Sequence, residues 1–201
     1  FPLGASMIND SLIKKHMGII LSQGLGLDMR DPNLKGTAER VARMYCRELF
    51  SGLNEEPPII TTFPNTEGYD EIVLIDNVPF VSTCSHHFLP FRGLAYFAYI
   101  PNDKLCGASK MPRIINYFAA RPQLQERLTQ QIVDYFVDQV YPLGTMLVMR
   151  ASHDCMICRG VKTGSKTGMV TSIVQGCFKE NPTTRREALD LISISIKLSG
   201  T

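Results

Sequence analysis

The sequence predicts an α+β fold with a mostly antiparallel, four-stranded sheet. Two observations carry this. The hydrophobic period changes from helical to alternating near residue 71, and later changes back. The elements so marked run helix–helix, strand–strand, helix–helix, strand–strand, helix, which is not the strict alternation of a parallel sheet. The scale is consistent: 201 residues, 44% hydrophobic and 20% charged, fit one domain with a small appendage that folds without disulfide staples.

Each element follows from its residues. Ile8, Leu12, Ile13, Met17, Ile20 and Leu21 give residues 8–24 a helical rhythm, and Gly24 to Pro32 punctuates it. Thr37 reads as the N-cap of a helix over 38–52, with Val41, Met44, Tyr45, Leu49 and Phe50 on its apolar face. Gly52 and the Pro57-Pro58 pair end it, and residues 59–70 read as a loop or a short edge strand. Residues 71–76, 78–82 and 93–100 read as strand. Ser109 to Ala120 is a helix, with Pro112 tolerated in its first turn. Gln123 to Tyr141 is another, in which Leu124, Leu128, Ile132, Phe136 and Val140 repeat every four residues and face the sheet. After the Pro142-Leu-Gly144 break, residues 145–152 and 168–179 are strands, and 183–197 is a closing helix. Residues 7–58 thus form an N-terminal helical segment and 59–201 the sheet-bearing domain. Residues 1–6 read as a remnant of expression before a natural start at Met7. Such a sheet has two open edges, which invite pairing with further copies of the chain.

Several classes are excluded. The net charge of +2 comes from dispersed basic residues, which argues against a nucleic-acid or membrane-surface partner. No apolar run reaches membrane-spanning length, and no secretion signal is visible, so a cytoplasmic location is expected. The six cysteines accordingly read as reduced thiols, with Cys46, Cys106 and Cys177 as small buried hydrophobes.

The chemistry is concentrated in two clusters, Thr83-Cys-Ser-His-His-Phe88 and His153-Asp-Cys-Met-Ile-Cys-Arg-Gly160. Cysteine and histidine are the ligands zinc prefers, and the Cys84-x-x-His87 spacing lets both reach one ion from a single turn. If the strand over 145–155 is regular, His153 and Cys155 point the same way. Two arrangements compete. A closed structural site would use Cys84, His87, Cys155 and Cys158. An open catalytic site would use three protein ligands and leave one position for water. Spacing favours the first. The position of both clusters at strand ends, and the two histidines left over, favour the second.

Cations stand where helices disfavour them. Lys110 and Arg113 follow Ser109, and Arg40 and Arg43 lie early in the helix begun at Thr37. A cation at a helix N-terminus costs about 0.3–1 kcal/mol. Four of them suggest a shared anion, most simply a phosphate chain, which Arg159 would extend toward the metal cluster. The plain alternative is solvated surface charge. Glu126 sits at a favourable helix start, which explains it without function. Flanked by Gln123 and Gln125, it also suits a ring with adjacent N–H donors, such as guanine.

Six stretches, taken in order, resemble the GTP cyclohydrolase I family over roughly residues 10–195. They are Thr37-Ala-Glu-Arg-Val-Ala-Arg-Met-Tyr45, Ser82-Thr-Cys-Ser-His-His87, Gly107-Ala-Ser-Lys-Met-Pro-Arg-Ile114, Arg121-Pro-Gln-Leu-Gln-Glu-Arg-Leu-Thr129, His153-Asp-Cys155 with Arg159-Gly160, and Ser165-Lys-Thr167 with Thr184-Arg185. The resemblance implies a tunnelling fold, in which two hairpins flank two helices and neighbouring subunits close a barrel. It also implies a homodecamer of two stacked pentamers with active sites at subunit interfaces. The implied reaction opens the imidazole ring of GTP, releases formate and gives 7,8-dihydroneopterin triphosphate. Cys84, His87 and Cys155 would hold Zn2+, which selects the open site, and Cys158 falls at a position that is not a ligand in the family. His86 would protonate purine N7 while activated water attacks C8, and His153 would serve later proton transfers. Glu126, helped by Gln125, would hold the guanine edge, and Arg40, Arg43, Ser109, Lys110, Arg113 and Arg159 would gather round the triphosphate.

The chain departs from the family at Ser85, where glutamate is usual, at Ala38 in place of proline, at Ala108 in place of leucine, and at the less common Pro112. Ser85 keeps open a second reading, a same-fold cyclohydrolase with a shifted purine nucleotide such as dGTP. A third reading is a zinc-stabilised nucleotide-binding oligomer without turnover.

Overall fold

A computed structural model describes residues 8–164 and 166–199, which divide into two compact units between Glu56 and Pro57. The expected remnant at 1–6, the start at Met7, and Ser165 of the last matching stretch lie outside the described residues.

In the N-terminal unit, α1 (Asp10–Ile19) starts at Asn9, whose side chain accepts the Leu12 N–H at 2.9 Å. It widens into a π turn over Ile20–Gly24. The expected helix over 38–52 is shorter and broken: α2 (Thr37–Met44) gives way to a π turn at Tyr45–Leu49 and a 3-10 turn at Ser51–Leu53. Thr37 is also not its cap. Gly36 precedes the helix in the left-handed region at φ 75°, and the Thr37 hydroxyl accepts from the Arg40 guanidinium at 2.8 Å. The helix α1 packs on α2 yet buries no residue fully, so Leu12 and Ile19, with Ile20 of the π turn, stay exposed.

The second unit carries the sheet. Residues 59–70 contribute β1 (Thr62–Pro64). The two strands expected at 71–82 form one, β2 (Val73–Cys84), with a register shift between Ile75 and Val78 where Asn77 adopts φ 51°. Next come β3 (Pro90–Ile100), β4 (Lys104–Cys106), α3 (Lys110–Ala119) and β5 (Pro122–Gln123). The chain continues through α4 (Gln125–Val140), β6 (Gly144–His153), α5 (Asp154–Ile157), β7 (Met169–Gly176), α6 (Cys177–Glu180) and α7 (Pro182–Ser199). Two strand expectations are corrected here. The last strand ends at Gly176 and becomes the helical turn α6, and β6 ends at His153, so Cys155 lies on the helical turn α5.

The main sheet has five strands in the order β5-β2-β3-β6-β7, and β1 pairs with β4 in a separate ribbon. The extra strand is the two-residue β5, which pairs parallel to β2 through Thr83 and Cys84; the other pairings are antiparallel. Alternation along β3 divides the core. Ala95, Phe97 and Tyr99 join the cluster under α3 and α4. Tyr96, Ala98 and Ile100 join the cluster that includes Ala188 and Ile192 of α7. A strand covered on both faces reads as a nearly continuous apolar run, as residues 94–100 do. Burial of one such side chain, Phe97 at 0% exposure, contributes about 1.5–3 kcal/mol.

Candidate metal centre and active site

The first cluster is shaped by a backbone turn at the end of β2. The Phe88 N–H donates to the Cys84 carbonyl at 2.9 Å, and the Cys84 N–H donates to Leu89 O at 2.8 Å. Phe88 closes the turn at φ 54°, a conformation usually left to glycine. Strain of this kind is characteristic of functional sites. The Ser85 N–H donates to Gln123 O at 2.9 Å and ties the turn to the segment leading into α4.

The second cluster arrives from β6. His153 pairs across the sheet with Phe91, and its ring lies flat on that phenyl ring, with centroids 4.6 Å apart and planes 1° apart. The chain then turns into α5, and Arg92 holds Asp154 at 2.5 Å. This turn, rather than strand alternation, delivers Cys155 to the first cluster.

The donor atoms of Cys84, His87 and Cys155 all lie within 4.8 Å of one another, with Cys84 Sγ 4.0 Å from His87 Nδ1. Ligands at zinc distances of about 2.0–2.3 Å in a tetrahedral set sit about 3.5–4 Å apart, so this S,S,N group fits the ion after a small contraction. Burial, then the adjacent Cys84 sulfur, pushes the Cys155 thiol up; Arg159 acts weakly the other way. A cation between the two sulfurs removes that penalty. Cys158 is outside the group. Its thiol is exposed and reaches the carbonyl of Asp154 at 2.9 Å.

His86 is exposed beside the group, its ring edge-on to His87 at 6.2 Å. His153 is half-buried, and burial lowers its pKa, opposed by the carboxylates of Glu126 and Asp154. Glu126 is exposed on the first turn of α4 and makes no hydrogen bond or ion pair among the described residues. Gln125 differs. It is 1% exposed, its amide nitrogen is directed at three acceptors inside the sheet, and its Oε1 lies 2.8 Å from His153 Nε2. In this arrangement it has no free edge to offer a base. His153 also lines a cavity of about 270 Å³ with Met156, Ile157, Thr163, Thr167 and Met169.

The expected anion contacts are spread out. Ser109 precedes α3 without a side-chain capping bond, Lys110 opens the helix, and Arg113 stands on its first turn. Arg159 is exposed just beyond α5. Arg40 and Arg43 lie on α2 of the N-terminal unit, where Arg40 folds back on Lys35 O and Thr37. Sequence reasoning missed Phe91, Asp154 and the inward course of Gln125. A signal for the last was present: Gln125 and Thr129 are polar positions on the otherwise apolar inner stripe of α4.

A family model described as GTP cyclohydrolase I matches residues 13–193. The chain is 46% identical over 188 residues to the GTP cyclohydrolase 1 of Pelotomaculum thermopropionicum, covering 92% of this chain and 98% of that one. It is 45% identical over 188 residues to that of Carboxydothermus hydrogenoformans, covering 92% and 96%. It is 45% identical over 175 residues to that of Mycobacterium tuberculosis, covering 86% and 85%.

Proposed function

The chain belongs to the GTP cyclohydrolase I family, and on that premise we propose that it opens the imidazole ring of GTP, releases formate and forms 7,8-dihydroneopterin triphosphate. The convergence of Cys84, His87 and Cys155, with His86 and His153 close by in sequence, is the observation that carries this reading. These three residues would hold Zn2+. When bound, zinc supplies Lewis acidity and brings the pKa of water toward neutrality.

The remaining work falls to the chain. Opening the ring requires water at C8 and a proton on N7, so that the C8–N bonds break toward a neutral leaving nitrogen. His86, exposed and outside the donor group, is the proton donor at N7. His153, seated against Phe91, moves protons in the later hydrolysis and ribose opening. The Glu126 carboxylate accepts the paired N–H groups of the guanine edge. Arg40, Arg43, Ser109, Lys110, Arg113 and Arg159 bind the triphosphate, some of them supplied by a neighbouring copy. Assembly as a tunnelling-fold barrel, in a decamer of two pentamers, is supported by the edge position of β7 and by the exposed Leu12, Ile19 and Ile20 of the N-terminal unit. No helix among the described residues is long and apolar enough to cross a membrane.

Incubation of the zinc-loaded protein with GTP tests the reading. Formate, and a pterin that fluoresces after oxidation, are the expected products, with dGTP run alongside to compare substrates. Absence of both products at full zinc occupancy overturns it.

A further inference from the structure

We propose that Gln125 is a positioning residue that holds His153 with its proton on Nε2, so that Nδ1 is the nitrogen that exchanges protons with the substrate. This rests on the proposed role of His153 and goes further, by assigning the atom and the residue that selects it.

The assignment follows from acceptors that cannot donate. Gln125 Nε2 lies 3.1 Å from Met149 O, 3.2 Å from Met169 O and 3.1 Å from Thr171 Oγ1. Two of these are main-chain carbonyls, which only accept. A flipped amide would set Oε1 against both of them at a site only 1% exposed, so the nitrogen must face the sheet. The hydroxyls complete the circuit. Thr129 Oγ1 donates to Gln125 O at 2.7 Å, which leaves Thr171 to donate to Thr129 across 2.7 Å and to accept from the amide. The two amide protons are shared among three acceptors, and the nitrogen faces the sheet in either sharing.

Oε1 is therefore an acceptor facing His153 Nε2 at 2.8 Å, and Nε2 must carry hydrogen. In the neutral ring the lone pair then lies on Nδ1; in the charged ring the Nδ1 proton is the one free to leave. Ring rotation is opposed by the parallel stack on Phe91 at 4.6 Å. One contact fixes the plane of the imidazole and the other fixes its tautomer, the two requirements for directional proton transfer.

Nitrogen-15 spectra of the zinc-loaded full chain labelled at histidine test this without turnover, with His153 assigned by difference from His153→Asn. A protonated Nε2 and unprotonated Nδ1 are expected in the neutral ring; the reverse tautomer overturns the proposal. Gln125→Met then removes the acceptor while keeping bulk. The expected result is a mixture of tautomers and a kcat lower by about 10–100-fold, with KM for GTP and zinc content unchanged. A raised KM at unchanged kcat would instead identify Gln125 as a base contact and overturn the positioning role. Because the first measurement needs neither a Gln125 variant nor activity, it decides the tautomer even where Gln125→Met fails to fold, and separately from whether GTP is the substrate.

Discussion

The Cys158 thiol donates to the carbonyl oxygen of Asp154 across 2.9 Å, within its own helical turn, while Cys155 on the same turn joins Cys84 and His87. The two sulfurs of one Cys-x-x-Cys sequence thus have different duties. Cys158→Ser is expected to leave metal content unchanged. Cys84→Ser, His87→Ala and Cys155→Ser each remove a donor and should weaken zinc binding by more than the ~10–100-fold typical of outer partners. Metal analysis after dialysis against a weak chelator distinguishes them, and zinc loss from Cys158→Ser would return the site to the closed arrangement.

His86 and His87 are adjacent in sequence, but His87 offers a ring nitrogen to the Cys84–Cys155 pair and His86 lies outside the group. His86→Ala is expected to retain zinc and lose formate release by about 10²–10⁴-fold, the usual contribution of a placed acid or base. Zinc loss in that variant would mean that the two imidazoles have exchanged roles.

Much of this is legible in the sequence, for identifiable reasons. The run from Gly93 to Ile100 and the four-residue repeat from Leu128 to Val140 bury whole faces, so periodicity reports them directly. Cys84 and His87 share one local turn, so their spacing also reports their meeting. Spacing offers Cys155 together with Cys158 in the closed set, and only the resemblance separates the two. Read by alternation Cys155 lies on a strand, because nothing local announces that β6 stops at His153, where Arg92 from the neighbouring strand takes Asp154. Gln125 is legible only in part, from its place on the apolar inner stripe of α4. A glutamine at a helix start normally faces water, and its inward course is set by Met149, Met169 and Thr171 from strands distant in sequence. The π turn at Tyr45–Leu49 has no sequence signature that the helical period reveals.

Gly93 on β3 faces the backbone of β6 with no room for a side chain. A Cβ there would lie 1.8 Å from Arg150 O and 2.7 Å from Ala151 Cα, and a backbone wall cannot yield as a side chain does. Gly93→Ala is therefore expected to destabilise the fold by about 3 kcal/mol, the upper end of usual overpacking. Gly164 is the control: a Cβ added there would meet nothing within 4 Å, and Gly164→Ala should stay near neutral. Urea unfolding of both variants gives the comparison; equal midpoints would show that the strands separate at little cost.

Cys106 gives the stability a pH dependence whose sign can be worked out. The residue is 9% exposed, and burial pushes its thiol up to about 11, with Lys110 opposing weakly. In the unfolded chain the same thiol ionises near its ordinary value of 9.0. Between these values the unfolded state has released the proton and the folded state has not, so the folded state binds more protons and stability falls as pH rises. The full contribution is present below pH 9 and is lost by pH 11, about 2–3 kcal/mol for a shift of this size. Tyr99, whose hydroxyl accepts the Cys106 N–H at 3.1 Å, is itself raised mainly by burial and adds to the alkaline loss. The difference between the unmodified chain and Cys106→Ala isolates the thiol. Denaturant midpoints of the two should converge as pH is taken from 9 to 11, the variant gaining relative stability. Curves that remain parallel across that range would mean that the thiol is not held protonated by burial.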